Sequence, residues 1–120
     1  RPTNLDLFTV RFPLPALTSI THRISGVVIF VGVFVLLWLL SESLSSESGF
    51  ATVQQWLSSA PVKLVVWAIV AGLLYHLFAG IKHLIMDLGY AETLEGTNAA
   101  SWVVIIASAI TIILTGVWIW

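Results

Sequence analysis

Several ionisable side chains stand inside or beside the longest apolar stretches of this chain, where a charge or a bare imidazole is costly. In the segment Gly72 to Asp87, the positions Gly72, His76, Gly80, His83 and Asp87 fall within about 40° of one line if the segment is helical. The result is a polar stripe flanked by glycines. An ionisable group at membrane depth costs on the order of 3 kcal/mol or more unless something pairs with it, which makes such a stripe a functional hypothesis. His76 stands deepest in its apolar run, and the glycines beside it leave room for something flat and bulky. An imidazole there is a hydrogen-bonded packing residue, a proton relay or an axial ligand to haem iron. Only one histidine lies so deep, so a bis-histidine haem would take its second ligand from another subunit.

A second group lies near the start of the first apolar run. Ser19, His22 and Arg23 have the spacing i, i+3, i+4 and share one helix face. Arg23 keeps its charge, and a sequestered guanidinium needs an anion or carbonyl oxygens. Ser19 and Arg23 can hold a quinone carbonyl, and His22 and Arg23 can receive haem propionates. The plainer alternative has Arg23 reaching to lipid phosphate and Ser19 satisfied by its own helix. Lys82, His83 and Asp87 read more simply as interfacial anchors or polar support than as catalytic groups.

The elements that must position these residues follow from composition. Of 120 residues, 58% are hydrophobic and 9% charged, with a mean hydropathy of +1.01, too apolar for a soluble domain of this size. Ile24 to Ser41, Leu64 to Ile81 and Gly96 to Trp120 contain no Asp, Glu, Lys or Arg. Each approaches or exceeds the ~20 residues a helix needs to cross the hydrocarbon layer. The expectation is an all-α membrane protein with three transmembrane helices, about 15–41, 61–88 and 101–120, in one membrane-anchor domain over 1–120. The first run is as long as the others and lacks a small-residue cleavage site, so it does not read as a signal peptide. Because the chain opens on Arg1, a few residues are expected upstream.

Residues 1–14, broken by Pro2 and Pro13, predict an arm lying on the surface. Pro15 suits a first helical turn. In the serine-rich connection 41–60, Phe50 to Ser59 predict a short interfacial helix anchored by Trp56, and Gly89 predicts the stop of the second span. Arg1, Arg11 and Arg23 outweigh the single lysine near each later connection, so the N-terminus is expected in the cytoplasm and the C-terminus outside. Ser19, His22 and Arg23 then share a membrane level with His83 and Asp87.

Composition also excludes. With no cysteine, the chain can supply no disulfide, thiolate metal site or iron–sulfur ligand. It has no basic cluster for nucleic acid and no phosphate loop, dinucleotide fingerprint or hydrolase constellation.

Arg1 and Pro2, then Ser19, Ile20, Thr21, His22, Arg23, Ile24 and Ser25, and later the run from His76 through Gly80, Lys82, His83 and Asp87 to Gly89, resemble the two signatures of the succinate dehydrogenase cytochrome b subunit. This is the C membrane anchor of respiratory complex II, and the likeness is to bacterial forms over essentially the whole chain. The resemblance implies a haem b held between this subunit and a second small membrane anchor, with His76 matching one axial ligand and the partner anchor supplying the other. It implies that Ser19 and Arg23 line the ubiquinone site, that His22 and Arg23 lie near the haem propionates, and that an iron–sulfur subunit and a flavoprotein subunit complete the complex at the bacterial inner membrane. The family usually has Arg where this chain has Lys82, which keeps the charge and loses the planar fork. A fumarate reductase anchor, or a haem-free structural or proton-relay subunit, is the alternative.

Overall fold

The computed structural model describes residues 14–90 and 93–120, so the expected arm over 1–13 lies outside the described residues. These fold into four helices: α1 (Leu14–Ser45), α2 (Glu47–Leu57), α3 (Ala60–Asp87) and α4 (Leu94–Ile119). Three of them contain segments of 30, 28 and 25 residues long and apolar enough to span a bilayer. α3 is the middle element, packed against α1 on one side and α4 on the other, while α2 folds back on the end of α1.

Local chemistry sets the helix ends. Ser46 caps α2 by accepting a bond from Gly49 N at 2.9 Å, and Glu47 in the first turn complements the helix dipole. α2 therefore starts three residues before the Phe50 read from sequence. Thr93 caps α4 in the same way, accepting from Gly96 N at 3.0 Å, with Glu95 in the first turn. This carries α4 back to Leu94, seven residues before Ser101, because a charge-free run marks the apolar part of a helix and misses its capped polar start. α3 has Pro61 in its first turn and closes on Gly89. With Gly89 at φ 94°, Gly89 N bonds Met86 O at 3.0 Å and Tyr90 N bonds Ile85 O at 3.2 Å, the paired bonds of a left-handed helix terminus.

Burial is inverted relative to a soluble protein. Thr18, Ser25, Lys82, Ser101 and Ser108 are buried, while Phe30, Phe34, Leu37, Trp38, Ile113 and Val117 are exposed. Between helices in lipid, polar groups find their partners inside and apolar side chains face out. Close approach at the interfaces relies on small residues. A Cβ on Gly32 would sit 2.7 Å from Ile69 Cγ2, and one on Gly116 would sit 2.7 Å from the Trp67 ring. The indole Nε1 of Trp67 donates to the Ile112 carbonyl at 2.9 Å, tying α3 to α4 at that end.

Candidate functional site

The first turns of α1 lie against the last turns of α3, and this is where the histidines gather. Thr18, His22, Ser25, Ile29 and Gly32 lie along the face that α1 turns to α3, each buried or half-buried. The ring of His22 stacks on that of His76, centroids 4.1 Å apart and 11° from parallel, and sits 5.0 Å from the tilted ring of His83. Three imidazoles thus form one ladder, with His22 between two residues of α3. The face reading that grouped His22 with Ser19 and Arg23 is only partly reproduced, because His22 turns inward.

Hydrogen bonds settle the tautomers. Ser25 Oγ donates to the His22 carbonyl at 2.7 Å. His76 Nδ1 lies 3.0 Å from Ser25 Oγ and 3.2 Å from the same carbonyl, and a carbonyl only accepts. His76 Nδ1 therefore carries the proton, and Nε2 keeps its lone pair. Among the described residues, no hydrogen bond reaches His76 Nε2. His83 is fixed the same way, donating from Nδ1 to the Ala79 carbonyl at 2.7 Å. His22 Nε2 is buried without a partner among the described residues, so it retains the capacity for one further hydrogen bond.

His76 also lines an open groove with Gly26, Ile29, Phe30, Val33 and Phe34. A Cβ on Gly26 would come within 3.3 Å of His76 Cε1, so the glycine keeps the ring's edge clear. Half-buried Ser19 and exposed Arg23 stand on the α1 flank that continues through Gly26 and Phe30 into this groove. An imidazole with a fixed Nδ1–H, a free Nε2 and an apolar cleft beside it fits a haem. The orphaned nitrogen of His22 is turned to α3, 3.6 Å from where a Cβ on Gly80 would lie.

One reading needs correction. Lys82 is not an interfacial anchor. It is only 5% exposed, and its Nζ donates to Thr18 Oγ1 at 2.8 Å. Thr18 Oγ1 lies 3.3 Å from Ser101 Oγ, so the contact joins α1, α3 and α4. Lys82 points between α1 and α4 because it lies about 120° round the helix from His76. Asp87, the last residue of α3, is exposed, as the anchor reading expects, and does not join the histidine ladder, although it follows the same stripe in sequence. α1 begins at Leu14 and leaves nothing described to cover it.

Sequence reasoning assigned no site role to Thr18, Ser25, Tyr75 or Ser101. Tyr75 OH donates to the Thr18 carbonyl at 3.1 Å and meets Thr21 Oγ1. The signal was present in part: Thr18, His22 and Ser25 follow i, i+4, i+7, and Tyr75 adjoins His76. Ser101 carries no signal of its own, since only the capped extension of α4 brings it level with Lys82.

The family assignment comes from sequence comparison. The model of the succinate dehydrogenase/fumarate reductase transmembrane subunit family matches residues 1–115. The chain belongs to that family. It is 43% identical over 121 residues to the succinate dehydrogenase cytochrome b556 subunit of Coxiella burnetii, covering 100% of this chain and 97% of that protein. Against the cytochrome b556 subunit of Paracoccus denitrificans it is 34% identical over 119 residues, covering 96% and 88%. The mitochondrial cytochrome b560 subunit of Dictyostelium discoideum is 29% identical over 98 residues, covering 82% of this chain and 49% of that protein. Membership in this family and three apolar helices make the chain a membrane-anchor subunit of the succinate dehydrogenase cytochrome b type.

Proposed function

We propose that the chain anchors a succinate dehydrogenase in the bacterial inner membrane, supplies His76 Nε2 as one axial ligand to a haem b shared with a second small anchor subunit, and forms part of the site where ubiquinone is reduced. The observation that carries this is the commitment of His76 Nδ1 to Ser25 and the His22 carbonyl, which leaves Nε2 without a hydrogen bond among the described residues on a side chain that lines an apolar groove. A ring held in that tautomer is prepared to coordinate a metal. The haem, when bound, supplies one-electron redox chemistry. His22 and Arg23 would take its propionates, with the buried Nε2 of His22 supporting that assignment.

Ser19 and Arg23 would orient the quinone. A hydroxyl and a permanently charged guanidinium on one flank of α1 can bond a quinone oxygen and stabilise negative charge there as electrons arrive. His83 is polar support in the ladder. Oxidation of succinate belongs to the flavoprotein and iron–sulfur subunits, since this chain offers neither thiolates nor a nucleotide-binding motif. The names of the curated relatives favour succinate dehydrogenase over a fumarate reductase anchor.

Three measurements test this. His76→Leu in the purified complex should abolish the low-spin haem spectrum, and an unchanged spectrum refutes ligation. Ser19→Ala or Arg23→Ala should depress succinate–quinone reduction tenfold or more, about 1.4 kcal/mol, while succinate oxidation with a soluble acceptor survives. Equal loss of both activities would reduce the pair to a structural role. The positive-inside count favours α2 outside the cell. Because the chain is cysteine-free, Gln55→Cys should react with an impermeant reagent from that side, and reaction only from the cytoplasm reverses the topology.

A further inference from the structure

We infer that Ser25 is the positioning residue for His76, holding the ring in the Nδ1–H tautomer and setting the donor strength of Nε2. This rests on the reading of His76 as an iron ligand. Ser25 is 6% exposed, so water does not compete for its hydroxyl. Its own proton goes to the His22 carbonyl at 2.7 Å, leaving the oxygen lone pairs to accept from His76 Nδ1 at 3.0 Å. The His22 carbonyl is thus a second acceptor for Nδ1 and also the anchor that orients Ser25.

The ring is restrained on its other sides as well. His22 stacks on one face at 4.1 Å, and the backbone of α1 at Gly26 comes so near that a Cβ there would lie 3.3 Å from His76 Cε1. Stacking leaves an imidazole free to slide and flip in its own plane, whereas a directional hydrogen bond to Nδ1 does not. Ser25 therefore supplies the shorter of the two bonds that lock the ring's rotation, the His22 carbonyl supplying the other, and α1 reaches a residue of α3 through both.

Donation from Nδ1 to an acceptor gives the ring partial imidazolate character, which makes Nε2 a stronger donor and favours ferric over ferrous iron. Removing one of two acceptors should therefore raise the haem midpoint potential.

Ser25→Thr and Ser25→Val separate the hydroxyl from the volume, because the two side chains have nearly the same shape. In the purified holo complex, Ser25→Thr should keep the native midpoint potential and low-spin electron paramagnetic resonance signal. Ser25→Val should shift the potential upward and move the signal, or lose the haem outright. Identical behaviour of the two variants, whether both native or both without haem, overturns the proposal, since a packing role depends on shape alone. His76→Leu in the same series separates the premise from the inference. A surviving low-spin spectrum there removes the ligand reading itself, whereas its loss beside indistinguishable Thr and Val variants removes only the role of Ser25.

Discussion

The two ends of the α1–α3–α4 bundle are joined by different physics. Where α1 begins and α3 ends, the joints are side-chain hydrogen bonds: Lys82 to Thr18 at 2.8 Å, His76 to Ser25 at 3.0 Å and Tyr75 to the Thr18 carbonyl at 3.1 Å. At the opposite end the joints are shape and aromatic surface. Trp67 fills the space that Gly116 vacates, Trp120 meets Trp67 edge-on at 6.0 Å, and Lys63 Nζ stands 5.7 Å from the Trp120 ring centre. Towards the aromatic end the atom without a partner among the described residues is a neutral hydroxyl, Ser108 Oγ, one turn from Ile112. The polar end retains a buried nitrogen on His22 without a partner among the described residues.

That contrast can be broken at either end. The largest effect is expected from Gly116→Leu, which drives a side chain into the Trp67 ring and should destabilise the fold by about 3 kcal/mol, read by detergent-induced unfolding. If the ends are independent, haem bound to the surviving folded fraction keeps its native spectrum. Thr18→Val at the other end removes the acceptor of a buried ammonium and should cost about 2 kcal/mol, while slowing quinone reduction. Trp67→Phe deletes the bond to Ile112 and part of the ring that lies against Gly116, and should cost about 2 kcal/mol, leaving quinone reduction unchanged. Lys82→Met should have the smallest effect, under about 1 kcal/mol, because it removes the charge together with its desolvation cost. A Lys82→Met variant less stable than Thr18→Val would show that the cation itself holds the three helices together, and the polar end would need a different account.

The spans were legible because an uncharged run as long as a bilayer is thick rarely serves anything but a crossing. Their ends were less so: Thr93 and Ser46 act through single hydroxyls that composition does not weigh. Within the site, His76 stood out by its depth and by the glycines a turn to either side of it. Lys82 was misread because its position near a helix end suggests access to the interface, yet burial depends on which neighbouring helix covers that face. His22 shows the same limit. Its spacing from Ser19 and Arg23 is correct, but a helix face is more than a quarter-turn wide, and packing against α3 decided which edge turned inward.

Ser46 has one further consequence. It is the single residue between α1 and α2, with φ −170° and ψ 171°, and just beyond it Gly49 is so close to α1 that a Cβ would lie 2.5 Å from the Glu42 carbonyl oxygen. The elbow has one joint and a stop, and it sets where the short helix swings. Trp56 thereby meets Trp38 face to face at 5.3 Å. The stacking of two large aromatic rings is thus governed at a distance by a missing methyl group, and Gly49→Ala should pry them apart without touching either.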